Sequence, residues 1–131
     1  MQLFHGTSTK NARAIQKAGV LARPYLTSCC EQAAYYAECA SEEDDSDPVV
    51  LQLEIGSDAL AVDYISFAEP LTIFRNKWAQ SEEEWHEKIS RREIPFPSDE
   101  LDVATALAVT GAVRAIRDLP LEQAWRWLSD N

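Results

Sequence analysis

The chain has 131 residues, 46% hydrophobic and 26% charged, which indicates one globular domain over residues 1–131 and excludes a disordered, collagen-like or coiled-coil protein. Its 22 acidic and 12 basic residues give a net charge of −10, so we expect no nucleic-acid partner, because most of the surface repels phosphate. No apolar run reaches the ~18 residues of a membrane helix, and the first residues do not resemble a signal peptide, so no membrane partner is expected.

The cysteines indicate a reducing compartment. There are three, Cys29, Cys30 and Cys39, and an odd number with an adjacent pair does not fit the disulfide framework of a secreted protein. The adjacent pair also lacks the spacing of a zinc site, and His5 and His86 are far apart in the sequence. We therefore expect a cytoplasmic protein without a metal, in which the cysteines fill the core.

The first predicted elements are short. Leu3–Thr7 is typical of a strand that ends in a glycine turn. Ser8 or Thr9 then caps a helix, which Gly19 ends. Pro24–Thr27 is predicted to be extended.

A helix followed by a longer strand completes the first half. The Ser-x-x-Glu pattern of Ser28–Glu31 is a capping box and predicts a helix to about Ala40. Its inner face would carry Ala33, Tyr36, Ala37 and Ala40, whose mostly small side chains allow close packing on a sheet. An acidic loop at Ser41–Pro48 precedes the strand Val49–Ile55, which alternates from Leu51.

The second half gives weaker signals. Ala59–Tyr64 is compatible with a strand, and a second capping box, Ser81–Glu84, predicts a helix from about Glu82 to Arg92. The remaining predictions are a helix from Ser98 or Asp99 to Val109, a strand at Ala112–Ile116, and either a strand or a helical turn at Trp125–Leu128. Together these elements predict the α+β class.

Two groups of residues have the chemistry of a binding site. His5-Gly6-Thr7 lies at a strand end, where glycine allows a ligand close to the backbone and the other two offer hydrogen-bond donors and acceptors. Tyr25 and Tyr36, with ten residues between them, can face each other from a strand and the following helix, and two facing rings form a slot for a flat ring. Each group alone is also compatible with a structural role.

The order of these groups resembles the N-terminal half of the ADP-ribosyltransferase superfamily, and most closely its His-Tyr-Glu branch of diphtheria-type toxins and poly(ADP-ribose) polymerases. The resemblance covers about residues 3–55. It implies a compact split β-sandwich flanked by helices, and a mono-ADP-ribosyltransferase that uses NAD as its substrate without a metal.

The resemblance also implies a role for each matching residue. Tyr25 and Tyr36 would stack on the nicotinamide, and His5 would hydrogen-bond ribose hydroxyls. The Gly6 backbone would hold the carboxamide, while Thr7 and Thr27 would add hydroxyl contacts.

The acid that completes the site in that family has no clear counterpart here. Glu100 and Asp102 are the candidates, because they precede the predicted strand Ala112–Ile116, and Glu122 is a weaker choice. Acids in the first turn of a helix are also explained by the helix dipole alone.

The sequence does not identify the acceptor of the ADP-ribose. The acidic surface favours a basic protein or a small molecule over nucleic acid, and the small single domain is typical of a bacterial or phage toxin or inhibitor. An RNA 2′-phosphotransferase is disfavoured, since the matching half contains Arg13 and Arg23 as its only arginines. A non-enzymatic inhibitor that mimics nucleic acid is the alternative, suggested by the cluster Glu42-Glu43-Asp44-Asp45.

Overall fold

A computed structural model of the chain describes residues 1–68, 78–94, 103–121 and 125–128. Within these ranges the strands are β1 (Gln2–Ser8), β2 (Val20–Leu21), β3 (Tyr25–Thr27), β4 (Pro48–Glu54), β5 (Leu60–Val62), β6 (Ala112–Ala115), β7 (Leu119–Pro120) and β8 (Trp125–Leu128). The α-helices are α1 (Thr9–Ala18), α2 (Cys30–Asp44), α3 (Tyr64–Ala68), α4 (Glu82–Ser90) and α5 (Val103–Val109), with a 3₁₀ turn at Ser57–Ala59.

The strands form a six-stranded antiparallel sheet in the order β5-β6-β3-β1-β4-β8, and β2 pairs with β7 in a separate ribbon. The prediction of the α+β class is confirmed. Trp125–Leu128 pairs with β4, which decides for a strand over a helical turn. The β2–β7 ribbon was not predicted, since neither segment is long enough to show an alternating pattern.

The two neighbours of β1 are paired with it very differently. β4 runs beside β1 over seven residue pairs, from Gln2↔Glu54 to Ser8↔Pro48. β3 is joined to β1 by the single pair Phe4↔Thr27. β3 therefore separates from β1 on the side of this pair that leads to Tyr25.

Helix α2 lies directly on β1 because both present small residues to each other. Ala33 and Ala37 are fully buried, as the predicted small-residue face requires. A β-carbon on Gly6 would lie 2.8 Å from the backbone nitrogen of Ala37 and would overlap the carbonyl of Ala33. Close packing of α2 thus explains this glycine, in addition to the predicted approach of a ligand.

A larger apolar core includes Leu3 and Leu51 from the β1–β4 pair together with Trp85 and Ile94, all at most 2% exposed. The predicted capping of α4 is confirmed: Ser81 Oγ accepts from the Glu84 backbone N–H at 3.1 Å. The helix ends at Ser90, before the predicted Arg92.

The predicted capping box at Ser28 is wrong. Helix α2 starts at Cys30, and its N-cap residue, Cys29, makes no side-chain capping bond. The Ser28 backbone N–H instead donates to the Gly111 carbonyl at 2.9 Å, and the hydroxyl of Thr27 accepts from the Cys29 N–H at 3.0 Å. The hydroxyl that bonds to the backbone at the start of α2 therefore belongs to Thr27 and not to Ser28.

The predicted acidic loop is also partly wrong, since α2 continues through Asp44. The Asp44 carboxylate accepts from the hydroxyls of Ser8 and Ser46, and Lys10 Nζ donates to the Asp44 carbonyl at 2.8 Å. These bonds to α1 and its N-cap hold the end of α2 in helical form. Asp44, part of the acidic cluster behind the inhibitor alternative, is therefore engaged within the fold.

None of the three cysteines forms a disulfide, as predicted, but Cys30 and Cys39 are exposed and do not fill the core. In the described part of the chain, no helix is long and apolar enough to cross a membrane. The same residues contain no group of three or more histidine, cysteine or acidic side chains placed to hold a metal ion.

Candidate active site

A cavity of about 480 Å³ opens where β3 diverges from β1, beneath α2 and α3. The described residues that line it are Phe4, His5, Gly6, Tyr25, Leu26, Thr27, Tyr36, Cys39, Ala40, Glu43, Asp63, Ile65, Ser66 and Ala112. Its volume is within the ~300–1,000 Å³ of ordinary small-molecule pockets. His5, Gly6, Tyr25, Thr27 and Tyr36, which the sequence assigned to a ligand, are all in this lining.

His5 spans the opening between the two strands. Its Nδ1 lies 2.8 Å from the carbonyl oxygen of Tyr25, so Nδ1 carries the proton and donates it. Burial lowers the pKa of His5 below its ordinary value of 6.5, and the hydrogen bond to Tyr25 opposes this shift only in part. The ring is therefore neutral near pH 7, and Nε2 can accept a hydrogen bond from a ligand hydroxyl.

Tyr25 and Tyr36 reach the cavity from β3 and α2. Tyr25 is 55% exposed at its mouth, while Tyr36 is half-buried and packs edge-on against Tyr35, with 5.9 Å between ring centroids. Burial raises the pKa of Tyr36, and a hydrogen bond from Gln32 opposes the shift. Both lie on the wall of one apolar cavity, as a slot for a flat ring requires.

The two threonines have different surroundings from those expected. Thr7 is buried at 4% exposure and lies outside the cavity lining. Thr27 lines the cavity, but its hydroxyl donates to Gln32 Oε1 at 3.1 Å and accepts from the Cys29 N–H. Thr27 therefore fixes the start of α2, and through Gln32 the position of Tyr36.

The predicted acids, Glu100 and Asp102, lie outside the described residues, as does Glu122. The described lining instead contains two carboxylates that sequence reasoning missed, Asp63 and Glu43. Sequence reasoning missed Asp63 because it assigned this residue to the predicted strand Ala59–Tyr64. Asp63 in fact lies between β5 and α3, directly before the helix.

Asp63 is 5% exposed, which is unusual for a carboxylate. Its Oδ1 accepts from the backbone N–H groups of Ile65 at 3.1 Å and Ser66 at 3.2 Å, and its Oδ2 accepts from the Ser66 hydroxyl at 2.6 Å. These bonds hold the side chain in one orientation at the cavity wall. A carboxylate has about four acceptor positions, so three bonds leave capacity for a ligand hydroxyl.

The cavity therefore combines a largely apolar wall with a neutral imidazole, two phenol rings and two carboxylates. Such a set can hold a flat ring, bind ribose hydroxyls and stabilise positive charge on a neighbouring carbon. Comparisons of the chain with protein-family models, curated proteins and solved structures find no match.

Proposed function

We propose that this chain binds NAD in the cavity between β1 and β3 and transfers its ADP-ribose to a macromolecule, in the manner of a mono-ADP-ribosyltransferase. One observation carries the proposal: His5, Tyr25 and Tyr36, from three different elements, line the same cavity. These are the residues on which the resemblance rests. The divergence of β3 from β1 is compatible with the split sandwich that the resemblance implies.

In the proposed reaction the bond between the anomeric carbon and the nicotinamide nitrogen breaks. The electron pair leaves with nicotinamide, and the sugar acquires oxocarbenium character, as in glycoside cleavage. A nucleophile of the acceptor then forms a bond to the same carbon and releases its proton to solvent. Tyr25 and Tyr36 orient the leaving ring, while neutral His5 accepts a bond from a ribose hydroxyl.

A carboxylate close to the anomeric carbon would stabilise this cation. Asp63 therefore joins Glu100 and Asp102 as a candidate for that task, because it is buried, fixed and in the lining. Glu43 is a weaker candidate because it is exposed at the end of α2. The acceptor we propose is a basic protein, as the net charge of −10 favours, and the biological role that of a bacterial or phage toxin or inhibitor.

Calorimetric titration with NAD tests the binding step. Replacing Tyr36 by Ala should weaken binding by about 1–3 kcal/mol, because a stacking surface is lost. Tyr36→Phe is the matched control and should bind as the wild-type chain does, since it keeps the ring. Equal affinity of the alanine variant would show that nicotinamide does not bind in this slot.

Two further measurements separate binding from transfer. Cys39 lines the cavity and Cys30 does not, and both thiols are exposed. NAD should protect Cys39, but not Cys30, from alkylation by a maleimide. Incubation with labelled NAD and a cell lysate should then label an acceptor protein, and an unlabelled lysate would contradict the proposed transfer.

A further inference from the structure

Arg114 is placed beside the cavity by the register of three strands. It lies in the middle of β6, opposite Tyr25 of β3 on one side and Ala61 of β5 on the other. Directly opposite residues of antiparallel strands point to the same face of a sheet, with β-carbons ~4.5–5.5 Å apart. The side chains of Arg114 and Tyr25 are therefore neighbours on one face.

That face is the one on which the cavity opens. Ala112, two positions before Arg114 on β6, is opposite Thr27, and both line the cavity. Because side chains alternate along a strand, Arg114 and Tyr25 form the next pair outward from Ala112 and Thr27. Arg114 is exposed and lies outside the lining, so it stands at the mouth of the cavity next to the half-exposed ring of Tyr25.

The charged groups around the cavity indicate a role for Arg114. The described lining contains the carboxylates of Glu43 and Asp63 and neither lysine nor arginine. A cation just beyond this described lining is therefore well placed to bind the phosphate groups of a ligand. Within the ranges that the structure describes, Arg114 forms no ion pair, whereas Arg117 lies 3.8 Å from Asp58.

We propose that Arg114 binds the pyrophosphate of the dinucleotide, an inference that rests on the proposed function. One ribose separates nicotinamide from the first phosphate, and one strand spacing of ~4.8 Å separates the backbones of Tyr25 and Arg114. A ring stacked on Tyr25 thus has its phosphate within reach of the guanidinium, whose planar donors match phosphate oxygens. Arg114 makes the cavity selective for phosphorylated nicotinamide compounds over the riboside and the free base.

Calorimetry with three ligands tests this assignment: NAD, nicotinamide mononucleotide and nicotinamide riboside, which carry two, one and no phosphates. Arg114→Gln should weaken binding of NAD and of the mononucleotide by about 10- to 100-fold, as expected for loss of a charge-assisted hydrogen bond. Binding of the riboside should stay unchanged, which also shows that the variant is folded. Arg114→Lys should recover part of the loss, and Arg117→Gln is the control and should bind all three ligands as the wild-type chain does.

The outcomes are distinguishable. If Arg114→Gln binds NAD as tightly as the wild-type chain, or loses affinity equally for the riboside, the assignment of Arg114 to phosphate is wrong while NAD binding stands. If the wild-type chain binds none of the three ligands, the proposed function itself is wrong. A smaller loss of affinity at high salt in Arg114→Gln than in the wild-type chain would further support the assignment, because screening weakens the charge that the variant lacks.

Discussion

The two sides of β1 differ, because one contributes to the core and the other borders the candidate site. On the β4 side, seven residue pairs form a closed ladder, and Leu3, Leu51 and Leu53 are buried at 3% exposure or less. On the β3 side, one residue pair holds the strands, and the Tyr25 carbonyl accepts from the His5 ring. The closed side provides core, and the open side provides a cavity at which His5 Nε2 and one acceptor position of Asp63 can meet a ligand.

The difference implies that substitutions on the two sides of β1 affect different properties. Leu51 and His5 are register partners across the β1–β4 pair, so they lie at the same height in the sheet. Leu51 is fully buried, whereas His5 is half-buried and lines the cavity. This pair allows stability and function to be separated with two single substitutions.

The largest expected effect is on stability. Leu51→Ala should lower the free energy of unfolding by about 2–5 kcal/mol, because it removes buried methyl groups and leaves a cavity in the core. Urea denaturation measures this loss directly. A change below about 1 kcal/mol would mean that the closed side of β1 is not the stabilising side.

His5→Ala should have the opposite profile. We expect its melting temperature to stay close to that of the wild-type chain. ADP-ribose transfer should fall by about 10²-fold or more, because the ribose hydroxyl loses the imidazole nitrogen that accepts its hydrogen bond. His86→Ala is the matched control, since His86 is exposed on α4 and is not part of the described lining. Retained transfer in His5→Ala would contradict the role of His5 in binding the ribose.

Substitution of Asp63 tests whether the carboxylate that stabilises the cation lies in the described lining of the cavity. Asp63→Asn keeps one oxygen that can accept from the Ile65 and Ser66 N–H groups, so α3 should still be capped. Transfer should fall by about 10²-fold with little change in NAD affinity if this carboxylate stabilises the cation. Glu100→Gln and Asp102→Asn, made in parallel, would show the same loss if the acid lies there instead.

The smallest expected effect is a pH dependence. Because the pKa of folded His5 lies below 6.5, the unfolded chain takes up a proton first as the pH falls. The contribution of His5 to the free energy of unfolding is therefore at its maximum above pH 6.5. It declines below that pH by at most about 1.4 kcal/mol per pH unit. NAD affinity should decline as the pH falls through the folded pKa, since protonation removes the Nε2 acceptor. His5→Ala should flatten both profiles between pH 5 and 7, and an unchanged profile would contradict a buried, neutral His5.

Local signals in the sequence predicted much of the framework. Ser8 caps α1 by accepting from the Asn11 N–H at 3.1 Å, and Gly19 ends that helix with a φ of 76° that glycine adopts without strain. The capping of α4 by Ser81 and the alternating strand around Leu51 were likewise predicted from local patterns. In each case the residues that determine the element lie within a few positions of it.

Contacts between distant segments decided the rest. Ser28 bonds to Gly111 just before α2 begins, and Asp44 at the end of α2 bonds to Ser8 and Lys10. These partners are 34 or more positions apart, so no local pattern could reveal them. The same is true of Asp63, which reaches the cavity because β5 pairs with β6.

The sequence by itself determined the residue types and the order of the candidate site, because Tyr25 and Tyr36 belong to adjacent elements and His5 belongs to a recognisable strand. The predicted strand end at Gly6 is wrong, since β1 continues to Ser8 and His5 lies in its middle. Only the tertiary structure decided that one cavity collects them, that Asp63 joins them and that Arg114 stands beside Tyr25. The physical reason is strand register. A shift of one residue between β3 and β6 would turn Arg114 to the opposite face of the sheet, and that register is set by packing across the whole sheet.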